Sequence, residues 1–381
     1  MAGIDASTQD LAQHRSYFAA LQNKAYFNYG GQGALPKQAL AAIFCSYDYV
    51  QTNGPFSTKM FTWLEDEINK TKDAVANILN SERRSIALTQ NVTEGCNIVM
   101  WGLKWQQGDH MLLTDCEHSS VVAIAEQVAA RKKIEVTFAQ LTDAKADPVQ
   151  VLADAIQPTT KLVAISHVLW NTGRVLPIAD IAAVCKERGV PLLVDGAQSA
   201  GMMPLDVQAL GVDFYAVTGH KWLCGPEGVG ALYVSTEMLE QLRATFVGWR
   251  SVEMGPKDYV DATKFEVATS AFPLYAGLRA AMELHNDWAQ PAARYEQIKK
   301  NVSYLRSKLS EIPSVRFVGN YTDSGLVSFS VEDKTPSELA RHLESAGIFV
   351  RTIPYPRCVR ASVHYFTDKR EMDRLVAAVA N

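Results

Sequence analysis

Short apolar runs recur through the middle of the chain, and most are followed by a segment with helical periodicity. Residues 85–89, 110–114, 161–166, 190–194, 214–218 and 229–234 are such runs. Runs apolar on both faces belong to strands covered by helices on both sides, so a mostly parallel α/β sheet is expected. After about Gly255 the pattern changes. A long helical stretch covers 273–309, strands are expected at 315–318, 326–331, 348–352 and 360–365, and a last helix begins near Thr367. Thr335-Pro336-Ser337-Glu338 is a helix start, with Thr as N-cap, Pro at the first helical position and Glu at the third. The expected division is a large α/β domain over 23–255 and a smaller α+β domain over 256–381. Residues 1–22 form a helical segment that packs on either one.

A length of 381 residues suits one large and one smaller core. A formal charge of -4 gives no general attraction to nucleic acid or anionic membrane. No apolar stretch approaches the roughly 18 residues that span a bilayer. Residues 1–10 lack the basic and apolar regions of a signal peptide. Cys45, Cys96, Cys116, Cys185, Cys224 and Cys358 are scattered without metal-like spacing. Free thiols in a cytoplasmic protein are therefore expected, with no metal.

In an open α/β sheet, ligands bind beyond the carboxyl ends of the strands. The polar residues there are Thr93, His118, His167 with Trp170 and Asn171, Asp195 with Gln198, and Thr218 with His220 and Lys221. Singly, each has an ordinary reading: a helix cap, a core histidine, a solvated lysine. As an ordered set they match what pyridoxal 5'-phosphate (PLP) requires. Lys221 supplies an amine for a Schiff base, and Asp195 a carboxylate for the pyridine nitrogen. Thr93 opens a helix whose free N–H groups suit the phosphate.

These residues resemble the class V, fold-type I PLP enzymes, the group that contains the cysteine desulfurases. The stretch from Val217 to Pro226 is similar to the family's lysine signature, with Lys221 as the cofactor-bearing residue. Asp195-Gly196-Ala197-Gln198 resembles its pyridine-binding motif. The resemblance implies a large sheet of the seven-stranded type and a homodimer. It implies that Asp195 pairs with the ring nitrogen, Gln198 bonds the phenolic oxygen and His118 stacks on the ring. Thr93, Thr218 and His220 would hold the phosphate, joined across the dimer by Thr269. Arg360 would grip the substrate α-carboxylate, with Asn171 and Trp170 as further substrate contacts.

Two departures mark this chain within the family. Trp170 stands where desulfurases have an asparagine, and Asn171 follows it. Desulfurases also carry a nucleophilic cysteine on a loop well before the carboxylate-binding arginine. Here Cys358 is two residues before Arg360. The resemblance therefore points to the cystine C–S lyase branch. The expected reaction is α,β-elimination from L-cystine or L-cysteine, giving pyruvate, ammonia and a persulfide or sulfide, for example to supply iron–sulfur cluster assembly through a sulfur-acceptor protein. Lys221, His118 and Asp195 would be the catalytic residues. The alternatives are a cysteine desulfurase, a class V aminotransferase and a non-catalytic PLP-binding scaffold. Trp249 and Arg250 are read equally as pocket walls or as packing residues.

Overall fold

The apolar runs form a central sheet whose strands are almost wholly buried. The structure, a computed structural model, describes residues 8–142, 145–252 and 261–381. In chain order the strands are β1 (Ala25–Tyr26), β2 (Ile86–Thr89), β3 (His110–Thr114), β4 (Glu135–Ala139), β5 (Thr160–Ser166), β6 (Leu192–Asp195), β7 (Phe214–Thr218) and β8 (Gly230–Val234). The later ones are β9 (Val315–Phe317), β10 (Leu326–Val331), β11 (Ile348–Phe349), β12 (Arg351–Ile353) and β13 (Cys358–Ser362). The seven-stranded sheet has the order β2-β8-β7-β6-β5-β3-β4. Only the pairs made by β8 are antiparallel. Six of these strands coincide with the expected runs. The seventh, β4, is an edge strand with exposed Glu135 and Phe138, so it lacks the continuous apolar signal.

A four-stranded antiparallel sheet of order β12-β13-β10-β9 forms the C-terminal layer. The expected strand at 348–352 is two short strands. β11 pairs in parallel with β1, and β12 pairs with β13. The long helical stretch is also divided, into Pro273–Trp288 and Pro291–Ser310. Proline at 291 has no N–H to continue the first helix and suits the first position of the second. Thr335 and Glu338 form the expected capping box.

The change of pattern near Gly255 lies outside the described residues. Helix Thr8–Ser16 sits against the C-terminal layer. His14 bonds the Tyr365 hydroxyl at 2.8 Å, and Arg15 pairs with Glu371 at 2.7 Å. Helices Lys37–Asn53 and Thr58–Leu79, for which the sequence reading made no assignment, precede the main sheet.

Candidate active site

A cavity of about 530 Å³ opens where strands β2, β3, β5, β6 and β7 end. Thr93, His118, Trp170, Asp195, Gln198, Thr218, His220, Lys221 and Arg360 all line it. Short, parallel strands cause this convergence: each stops at the same edge, and its next residues turn over the cavity. A larger cleft of about 600 Å³, walled by Lys186, Asp213, Tyr233 and Glu237, lies at the opposite end of the strands. It offers no amine facing a buried carboxylate at carboxyl strand ends, so size alone does not mark the chemical site.

Asp195 ends β6 and is buried, with Oδ1 accepting from the Ala197 N–H at 2.8 Å. Burial raises its pKa, and the charge of Lys221 opposes that rise. Burial lowers Lys221 to about 8, with Asp195 again opposing. The amine is thus far closer to neutrality than a surface lysine. Burial and the neighbouring Lys221 also lower His118 and His220. His118 caps helix Ser119–Lys132 through Nδ1, which accepts from the Ser120 N–H at 3.3 Å. Its ring meets Trp170 edge-on at 5.3 Å.

At the anion side, Asn91 caps helix Val92–Gly102 by accepting from the Glu94 N–H. Thr93 lies in its first turn, and its hydroxyl is 3.4 Å from Ser120 Oγ. Thr218 Oγ1 and His220 Nδ1 are 2.7 Å apart. Three hydroxyls, an imidazole and a helix N-terminus therefore share one wall of the cavity, which suits a phosphate group.

Arg360 sits on β13 and is almost wholly buried. Its Nη1 donates to the Trp170 carbonyl at 2.6 Å, but its buried Nε has no partner. No carboxylate pairs with it among the described residues. A buried guanidinium with a free edge suits a ligand carboxylate. Gly30 makes this arrangement possible. A Cβ there would lie 2.8 Å from Arg360 Nη2 and 2.9 Å from Gln198 Oε1. Gln198 itself donates to the Gly30 carbonyl and accepts from Trp222 Nε1. Its second amide hydrogen is left for a ligand.

One expected contact is elsewhere. Asn171 is buried and donates to the Tyr355 carbonyl at 3.1 Å, so it braces the β12–β13 turn rather than the cavity wall. Thr269 is exposed and outside its own chain's cavity. Arg250 pairs with Glu266 in a buried cluster, and neither it nor Trp249 lines the cavity. Arg351, Ser120 and Ser166 do line it, although the sequence reading passed over them. Arg351 was detectable in principle: it faces Arg360 across the β12–β13 register.

A parallel-rich sheet with a lysine, a carboxylate and an anion wall at its carboxyl edge defines a fold-type I PLP site. The Aminotransferase class-V model matches residues 25–375, and the chain belongs to that family. It is 44% identical to the cystine C–S lyase C-DES, solved with its reaction product cysteine persulfide, with a TM-score of 0.93 over 96% of this chain and 99% of that one. Another C-DES structure, of a variant, has glycine covalently linked to the PLP cofactor. The cysteine desulfurase CsdA of Escherichia coli is 26% identical with a TM-score of 0.87, each chain being 97% covered. A probable cysteine desulfurase of Halobacterium salinarum is 31% identical over 78% of this chain and 76% of its own length.

Proposed function

We propose that this chain is a PLP-dependent carbon–sulfur lyase that splits L-cystine, and more slowly L-cysteine, into pyruvate, ammonia and a persulfide or sulfide. The observation that carries this reading is the absence of any thiol from the cavity: none of the six cysteines lines it. Cys358 is fully buried on β13, and burial pushes its thiol up to about 11. A turn of four residues joins β12 to β13, too short to carry a mobile nucleophile. Sulfur then leaves by elimination, not by transfer to a protein cysteine.

When bound, PLP supplies an electron sink for charge developing at the substrate Cα. Lys221 would anchor it, and as a buried amine with a lowered pKa would take the Cα proton as general base. Asp195 would keep the proton on the pyridine nitrogen, Gln198 would bond the phenolic oxygen, and His118 would close one side. Thr93, Thr218 and His220 would hold the phosphate. Arg360 takes the α-carboxylate and fixes the Cα–H bond. Trp170 shapes that wall, and Asn171 acts through the β12–β13 turn. Arg351 beside Arg360 gives the cavity a second guanidinium, which favours an amino acid with two carboxylates. Loss of the Cα proton lets the Cβ–S bond break with its electron pair going to sulfur, and the released three-carbon enamine takes up one water to give pyruvate and ammonia. A persulfide is a better leaving group than a thiolate.

A homodimer is part of this reading. Leu40, Phe44 and Tyr47 form an exposed apolar stripe on helix Lys37–Asn53, and Phe56, Phe246 and Val247 are also exposed. Such a surface suits a second copy, whose Thr269 would complete the phosphate site. No described helix is long and apolar enough to cross a membrane. The free thiols favour a cytoplasmic setting.

The test is to supply L-cystine to the PLP-loaded protein and quantify pyruvate, ammonia and alanine together. Equal pyruvate and ammonia support elimination. Alanine with little pyruvate overturns it in favour of desulfuration.

A further inference from the structure

Glu117 is buried beneath the cavity, one residue before His118, and does not reach the cavity wall. Its two oxygens accept from two hydroxyls: Oε1 from Thr114 at 2.6 Å and Oε2 from Ser166 at 2.6 Å. Thr114 ends β3 and Ser166 ends β5. Ser166 is the register partner of Asp195 on β6, and both line the cavity. One carboxyl thus links the ends of two neighbouring strands, β3 and β5, beside the β6 residue assigned to the pyridine nitrogen. No cation faces it among the described residues. The ionisable groups around it are Asp195 from β6, Cys96 from helix Val92–Gly102 and Cys116 from its own loop.

The hydroxyl partners are not equivalent. Thr114 Oγ1 is held from two sides, accepting from the Cys116 N–H at 3.3 Å and donating to Glu117, whereas Ser166 lines the cavity. Ser166 is free to turn. Ionised Glu117 accepts the Ser166 hydrogen. A protonated Glu117 carries its hydrogen on Oε2, donates it to Ser166 Oγ, and leaves the Ser166 hydrogen for the cavity beside Asp195. We propose that Glu117 is a positioning residue whose proton sets the direction of the Ser166 hydroxyl, and through it the hydrogen bonding available to Asp195 and the bound cofactor. Proton balance is simple: one proton is exchanged with solvent, and no bond between heavy atoms changes. Burial raises Glu117 to about 7, which places the exchange within the working range of such an enzyme.

This inference rests on Asp195 serving the cofactor. The absorbance of the bound cofactor should be followed from pH 5.5 to 9 in the wild-type holoenzyme and in Glu117→Gln, Glu117→Asp and Ser166→Ala. The buried carboxyl should be followed in parallel by difference infrared spectroscopy of the wild type. The expected result is an inflection near pH 7 in the wild type. It should be lost in Glu117→Gln and Ser166→Ala and retained, though displaced, in Glu117→Asp. A wild-type curve that superimposes on that of Glu117→Gln overturns the proposal. So does an inflection that survives Ser166→Ala, since Glu117 would then act by field alone. The infrared band needs no variant and keeps the test decisive if Glu117→Gln misfolds: no carboxyl titration between pH 5.5 and 9 overturns the proposal. Failure of the Asp195 assignment would show separately, as an Asp195→Asn variant with an unchanged cofactor spectrum.

Discussion

Two places in this molecule bury charges of both signs, and they are built in opposite ways. In one, Glu266 receives Lys72 on Oε1 and Arg250 on Oε2, each at 2.7 Å. The Leu88 N–H is a third partner at 3.1 Å, and Lys72 also donates to Thr263 Oγ1. Every charge there is closed on a partner. In the other, Asp195, Lys221 and Arg360 surround a cavity without an ion pair among them, and Arg360 Nε has no partner. Burying a charge is costly unless it is paired. The first cluster avoids that cost internally, and the second leaves it to be met by a ligand. The family resemblance assigned Arg360 to a substrate carboxylate but left Arg250 equally a pocket wall or a packing residue. Their partners separate them.

The comparison breaks most sharply at Lys221. Lys221→Ala should lower pyruvate formation by at least ~10²–10⁴-fold, the range for a positioned general base, with the added loss of the cofactor anchor. Its apoprotein should remain folded, because no ion pair is lost. Turnover assays and denaturant titration of the same preparation check both halves.

At the closed cluster the effects should be exchanged. Glu266→Gln leaves Lys72 and Arg250 buried without a carboxylate, and should cost about 3–5 kcal/mol of stability. Loss of activity should track loss of folded protein. A denaturation midpoint unchanged from wild type would show that the cluster is not structural.

Arg360→Lys tests whether the open site needs a fork or only a charge. An ammonium cannot reproduce bidentate contact with a carboxylate. Losing one charge-assisted hydrogen bond, about 1.5–3 kcal/mol, should raise KM for cystine roughly 10- to 100-fold. Cys358→Ala should do much less. Its thiol is outside the cavity, so pyruvate formation per folded molecule should stay within about twofold, the order expected for a residue with no role in the chemistry. Severe loss of turnover with normal stability would return Cys358 to candidacy as a nucleophile.

Most of the site was legible because parallel strands put their following residues at one edge, and the apolar runs identified those strands. That is why Asp195, Lys221 and Thr218 could be placed together from order alone. β4 was not legible, because an edge strand needs no continuous apolar run. The break before Pro291 carried its own signal in the proline, yet flanking helical periodicity hid it. Asn171 shows the other limit. The family resemblance suggested a ligand contact, while its side chain turns to the Tyr355 carbonyl. Side-chain direction in an irregular segment is set by long-range contacts that neighbouring residues do not encode.

The smallest effect concerns pH and the apoprotein. Burial lowers folded Lys221 to about 8 from its ordinary 10.5. Below about 8 both the folded and unfolded chains hold this proton, and burying the charge weakens the fold. Between about 8 and 10.5 the unfolded chain holds a proton that the folded chain has released, so stability gains a positive slope with pH. One proton contributes at most about 1.4 kcal/mol per pH unit, and water in the cavity reduces that. Lys221→Ala should remove this increment from the apoprotein's stability curve. Glu266→Gln should lower the whole curve and retain the increment. Denaturant titrations at pH 8, 9 and 10 would distinguish them. Coincident slopes in wild type and Lys221→Ala would mean that the buried amine is solvated enough to behave as a surface lysine, and would weaken its assignment as a near-neutral base.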